Sequence, residues 1–379
     1  MDSVRHLDTM GRYSDYQGPV PEWEDFVILT GGDPPPPALH LPILEMRTQT
    51  NAGRTMAAQE QVKVLGLHEK VTWQDYSILT QDSQNIIARV YKPRAASSST
   101  MTTGTRLPVY LYFHGGGHLY GNVDGEDGSC ARIVAESPFP LVVVNVNYRH
   151  TPEFPWPTQF NDAWDSLVWL STHASTFGGD PSKVVVGGIS AGGGLAASVA
   201  VHHHQLLQSG QGLAPPVTIQ GQVLGSPWLL HPLVNPLSKE VLSSFNQNQN
   251  APVLPWSILK VFADLLGPDA VTDPKFNVAL TDDKALKGMP KASCIVAGQD
   301  LLRDEGLYYA ERLKKNEVPT KTTVFPGLPH GFRRFQNLWS TNKWDQVILQ
   351  SIQWCLSTDS QATFEVVSKG SVSATEVGP

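Results

Sequence analysis

The chain has 379 residues, 41% of them apolar and 17% charged, the make-up of a globular protein with one extensive core and room for a lid. A formal net charge of −7 speaks against nucleic acid or an anionic membrane as the main partner. Cys130, Cys294 and Cys355 lack metal-ligand spacing and are expected to be buried free thiols, so no metal is expected and a reducing, cytoplasmic setting fits. The first residues contain no apolar signal-like core, and no apolar stretch approaches membrane-spanning length, so stable membrane insertion is not expected.

In chain order, residues 1–50 read as irregular, with Asp33-Pro34-Pro35-Pro36-Pro37 enforcing extended backbone, and 41–67 as helical in part. Residues 1–70 are thus expected to form an N-terminal cap segment and lead-in. Two strands follow at 71–79 and 85–91, joined by a polar turn, and the Ser/Thr-rich stretch 95–106 reads as an exposed, mobile loop. Apolar runs at 107–113, 141–147, 183–187, 218–224, 292–297 and 321–325 then alternate with helical patterns at 126–136, 158–175, 191–208 and 305–316. This predicts an α/β fold with a mostly parallel sheet covered by helices on both faces. Residues 228–273 interrupt the alternation with a connection far longer than usual, rich in apolar residues such as Trp228, Val241, Leu242, Phe245, Trp256 and Phe262. They are expected to form a cap insertion within a core spanning 71–356. The polar tail 357–379 is expected to be disordered.

The chemistry centres on Gly188-Ile189-Ser190-Ala191-Gly192, which follows Val184-Val185-Val186 and opens a small-residue helix. A strand, a sharp turn with serine between glycines, and a helix make a nucleophile elbow that lifts the hydroxyl above the sheet edge. Such a serine needs a histidine base held by a carboxylate. Asp300 after the run 292–297 and His330 after 321–325 supply them in the order Ser, Asp, His. Each of the three follows a strand, so parallel strands bring them to one edge. Asp300 could also cap the next helix, and Asp304 is a rival acid that would have to reach back.

For the oxyanion, Gly115, Gly116 and Gly117 of His114-Gly115-Gly116-Gly117 are the candidate donors together with the Ala191 amide, Gly116 and Gly117 being preferred. His114 is expected to brace the loop. Trp228, Phe245 and Tyr120 are assigned to the substrate pocket. His202-His203-His204 point in different directions around a helix, so a solvated face is expected there, and Glu153 is expected to brace its loop with Arg149.

Together these motifs resemble the hormone-sensitive-lipase branch of the α/β-hydrolases, from about Arg89 to about Leu356. Besides the glycine loop and the elbow, the resemblance rests on Tyr148-Arg149 with Pro152-Glu153, Gly179-Asp180-Pro181-Ser182, Leu302-Arg303-Asp304-Glu305-Gly306 and His330-Gly331-Phe332. Within the branch the chain looks most like fungal esterases of secondary-metabolite pathways. Ile189 stands where members usually carry aspartate, and Leu301 where proline usually follows the acid. The resemblance implies an α/β-hydrolase fold with a helical cap and hydrolysis of short- to medium-acyl esters without a cofactor. The expected partner is a small, apolar or aromatic metabolite ester cleaved through an acyl-enzyme; a homodimer is left open. Two rivals remain: acyl transfer or lactone chemistry at the same serine, and a non-catalytic receptor. Plant relatives of the receptor kind have lost the histidine that His330 retains.

Overall fold

The computed structural model describes residues 12–34, 39–94, 106–234 and 243–368. Pro35, Pro36 and Pro37, nearly all of the 95–106 loop, Val241, Leu242 and the end of the tail lie outside the described residues.

The strands are β1 (Val71–Leu79), β2 (Asn85–Pro93), β3 (Leu107–Phe113), β4 (Val142–Asn147), β5 (Gly179–Ile189), β6 (Ile219–Gly225), β7 (Lys291–Gln299), β8 (Thr320–Pro329) and β9 (Thr363–Val366). They form one sheet in the order β1-β2-β4-β3-β5-β6-β7-β8-β9. The first two pairings, β1 with β2 and β2 with β4, are antiparallel, and the rest are parallel. The central strands are almost continuously apolar because both faces are covered. Alternate residues enter opposite cores. Val109, Leu111, Phe113, Val144 and Val186 join one, while Tyr110, Tyr112, Val143 and Val185 join the other.

The helices of eight or more residues are α1 (Pro21–Thr30), α2 (Ile43–Val64), α3 (Asp127–Glu136), α4 (Thr158–His173), α5 (Ala191–Gln208), α6 (Trp256–Leu266), α7 (Arg303–Lys315) and α8 (Trp339–Leu356). Residues of α4, α5 and α7 fill the first core, and those of α3 and α8 fill the second. The strand order reverses around β3, and in open α/β sheets the crevice beyond the carboxyl ends of the strands at such a point is where ligands bind. The chain leaves β3, β5, β7 and β8 on that side at His114, Ser190, Asp300 and His330.

The tail departs from expectation. Thr363–Val366 adds β9 alongside β8, with Lys321 opposite Thr363 and Val324 opposite Val366, and the Val367 amide donates to the Val324 carbonyl at 2.8 Å. All four strand residues are exposed, so this edge strand is held by backbone hydrogen bonds, which a polar composition does not register. The three cysteines are free and buried. Among the described residues no helix is long and apolar enough to cross a membrane, and no group of side chains could hold a metal ion.

Candidate active site

Ser190 stands alone between the end of β5 and the start of α5, with φ 58° and ψ −123°. This conformation is costly for any side chain, and the surrounding bonds hold it in place. The Ser190 amide donates to the Gly225 carbonyl at 2.8 Å, and its own carbonyl accepts from the amides of Gly194 and Trp228, both at 3.0 Å. A Cβ at Gly192 would collide with the Phe113 carbonyl, so glycine there lets α5 seat directly on β3.

His330 follows β8, and its Nδ1 lies 2.7 Å from Oδ2 of Asp300. Asp300 is 0% exposed and His330 8%. The other carboxylate oxygen of Asp300 accepts the Leu302 amide at 2.9 Å, and Asn248 Nδ2 donates to the Asp300 carbonyl at 3.0 Å. Asp300 therefore caps the following turn and holds the histidine at once. Asp304 is occupied elsewhere: it pairs with the buried Arg303 and accepts from Ser243 and Ser244.

The glycine loop is braced from three sides. Arg54 of α2 donates to the Gly115 carbonyl at 3.0 Å, and His114 Nδ1 donates to the same oxygen at 3.1 Å. Tyr148 donates to the His114 carbonyl at 2.8 Å. Asn51, also on α2, accepts from the Gly121 amide at 2.8 Å. Burial pushes the His114 imidazole well below its ordinary pKa, so it stays neutral and positions the loop. Gly116 and Gly117 have φ of 139° and 62°, and a Cβ on Gly117 would enter the Phe262 ring.

Ser190, His330, Gly115, Gly116, Gly117 and Tyr120 line one pocket of about 560 Å³. Further walls come from segments far apart in sequence, among them α2, the insertion and the stretch after His330. Thr50, Arg54 and Ala58 belong to α2, and Leu254, Ile258 and Phe262 to the insertion. Ala191 is buried behind Ser190 at the first position of α5, where its amide has no partner within the helix. Ile189, where the resemblance expects aspartate, lies in the lining and packs against the second core.

Four expectations need correction. Trp228 and Phe245 are not in the lining. Trp228 is 2% exposed, donates to the Leu230 carbonyl at 2.8 Å and packs on His118 and Phe276. Phe245 meets Trp256 edge-on inside the insertion. Both rings are thus taken up by packing away from the pocket, and the insertion presents Ile258 and Phe262, one turn apart, to it. Glu153 pairs with Arg47 of α2, while Arg149 pairs with Asp162 and Asp82. The three histidines do not form a solvated face: His202 packs on Phe160 and Trp164, His203 is buried against the Val217 carbonyl, and His204 bonds the Lys287 carbonyl.

A sequence profile described as the alpha/beta hydrolase fold matches residues 110–334. The chain belongs to the α/β-hydrolase family. Within it, the hydrolase falls in the hormone-sensitive-lipase-like branch. It is 34% identical over 254 residues to carboxylesterase NlhH of Mycobacterium tuberculosis, covering 66% of this chain and 72% of that protein. It is 30% identical over 284 residues to the versiconal hemiacetal acetate esterase of Dothistroma septosporum, covering 74% and 81%. Among solved structures, a hyperthermophilic esterase from the archaeon Pyrobaculum calidifontis superposes with a TM-score of 0.71 at 27% identity, covering 90% of this chain and 100% of that one. Vibralactone cyclase superposes with a TM-score of 0.78 at 25% identity, covering 90% and 96%. The hydrolase acts on carboxylic esters.

Proposed function

We propose that this hydrolase is a serine carboxylesterase that cleaves an ester of a small, apolar or aromatic metabolite through an acyl-enzyme intermediate. The observation that carries the reading is the buried Asp300–His330 hydrogen bond opening onto the same pocket as Ser190. In this reading Ser190 attacks the ester carbonyl while His330 takes its proton, and Asp300 orients the imidazole and stabilises the imidazolium. The amides of Gly116, Gly117 and Ala191 receive the developing oxyanion, at the end of a strand and the start of α5 where no side chain intervenes. His330 then protonates the leaving alcohol and activates water to release the acid. The apolar walls supplied by Ile258 and Phe262 favour a hydrocarbon or aromatic substrate, and the acetate in the fungal relative's name supports a short acyl group. Buried free cysteines support a reducing compartment such as the cytoplasm.

A second reading is supported by the similarity to vibralactone cyclase: the acyl group passes to a hydroxyl, within the substrate or on another molecule, instead of to water. Mass spectrometry of products formed with added alcohol separates the two.

Replacing Ser190 with alanine tests the principal reading. Turnover of p-nitrophenyl acetate and butyrate is expected to vanish; retained turnover would remove Ser190 from the chemistry.

A further inference from the structure

The pocket beside Ser190 holds more positive charge than its own carboxylates balance. Three guanidinium groups line it, from Arg54 on α2 and from Arg333 and Arg334 shortly after His330. Arg333 is matched. Its Nη2 donates to Ser129 Oγ at 2.7 Å, Asp345 lies 3.9 Å from its Nε, and the Glu126 carboxylate in the same lining also acts on it. Glu126 in turn accepts from the Tyr112 hydroxyl at 3.0 Å.

The other two cations have no such match. Arg54 gives one nitrogen to the Gly115 carbonyl, and no carboxylate pairs with it among the described residues. The Arg334 side chain makes neither a hydrogen bond nor an ion pair among the described residues, and its guanidinium lies over the Phe335 ring, 4.8 Å from the centroid. Arg334 is exposed at the rim of this pocket, and Arg54 acts on it as a like charge. Two cations thus face one cavity and disfavour each other, an arrangement that an anion between them relieves.

Resting on the esterase reading above, we propose that the substrate is an ester that also carries a carboxylate, received by Arg334 with Arg54 adding to the field. The planar guanidinium fork suits bidentate recognition of a carboxylate, and the Phe335 face fixes its plane. Ile258 and Phe262 take the apolar portion between carboxylate and ester. The carboxylate is a recognition element and changes no bond.

The test compares kcat/KM in wild type, Arg334→Gln and Arg334→Lys on two matched pairs. One pair, 4-nitrophenyl hydrogen adipate and 4-nitrophenyl hexanoate, varies charge on the acyl side. The other, 4-acetoxybenzoate and methyl 4-acetoxybenzoate, varies it on the alcohol side. In at least one pair Arg334→Gln is expected to lower the anionic ester about tenfold more than its neutral partner, with partial rescue by Arg334→Lys. Added salt should narrow the wild-type discrimination in that pair, which also tells which side bears the charge. Equal effects on both members of both pairs would overturn the carboxylate proposal and leave the esterase reading standing. Hydrolysis of no ester by folded wild type would overturn the esterase reading. The anion site is then read by thermal stabilisation of Ser190→Ala with 4-nitrophenyl hydrogen adipate: stabilisation lost on adding Arg334→Gln supports the site, and its absence from the start overturns it.

Discussion

Asp300 holds His330 through a 2.7 Å hydrogen bond from the ring Nδ1, and the carboxylate is pinned in turn by the Leu302 amide. The imidazole therefore has one tautomer and one orientation available, and in the proposed mechanism its Nε2 takes the proton of Ser190. Asp300→Asn keeps the shape but offers an amide where a carboxylate must accept. The expected outcome is a fall in kcat of about 10⁴ on p-nitrophenyl butyrate, with KM changed far less. A loss under about tenfold would remove Asp300 from this role.

Arg54 links the N-terminal helix to the glycine loop through the Gly115 carbonyl. Arg54→Met keeps the aliphatic stem and removes that bond, so the loop amides lose part of their alignment. On a neutral ester kcat should drop by about tenfold to a hundredfold, because misplaced oxyanion donors weaken transition-state binding. Unchanged kcat would show that the loop keeps its shape without α2.

Phe262 packs against Tyr120 and fills the space beside Gly117. Phe262→Ala should open the pocket and shift preference toward longer acyl chains across a p-nitrophenyl ester series. Removing this ring should also cost about 3 kcal/mol of stability in urea unfolding. An unchanged chain-length profile would place the acyl group elsewhere in the pocket.

Two buried groups give stability opposite pH dependences. His118 is 2% exposed, and burial lowers its pKa from 6.5 to about 3. The unfolded chain takes up this proton first, so the contribution of His118 is complete above the unfolded pKa and is lost as pH falls toward 3. At pH 5 the loss amounts to about 2 kcal/mol. His118→Asn, suited to φ of 59°, should flatten the acid side of the urea-unfolding profile.

Glu305 behaves in the opposite sense. Burial raises its pKa well above 4.5, although its Oε1 accepts from the Leu229 amide at 2.5 Å. Its contribution is present below 4.5 and declines as pH rises toward the folded value. Glu305→Gln should therefore gain on wild type as pH increases. A parallel pH profile for either variant would show that the group does not titrate on unfolding.

The meeting of Ser190, Asp300 and His330 at one sheet edge was legible in the sequence because each directly follows an apolar strand, and parallel strands carry their carboxyl ends to one edge. The bounds of β3 and α5 were equally readable, since β3 and the first three turns of α5 are buried along their length. β5 runs beyond its apolar centre because Gly179, Gly187 and Gly188 pair through backbone alone and leave no hydropathy signal. The helix α8 went unread: its buried positions Trp344, Val347, Ile348 and Ile352 alternate with polar ones over a chain end that lacks a following strand pattern. The pocket was the least legible part. Apolar content marked the insertion as a cap, but the register of α6 places Phe262 in the lining, while Trp228 and Phe245 pack away from it. Arg54 and Arg334 gave no local signal, because their meaning arises when α2 and the segment after His330 meet across the cavity.

The central claim, that Ser190 is a nucleophile activated by His330, is tested most directly by intact-protein mass spectrometry with a fluorophosphonate, followed by peptide mapping. Wild type is expected to gain a single adduct on Ser190, Ser190→Ala none, and His330→Ala only slowly. An adduct on another residue, or none in the folded wild-type protein, would contradict it.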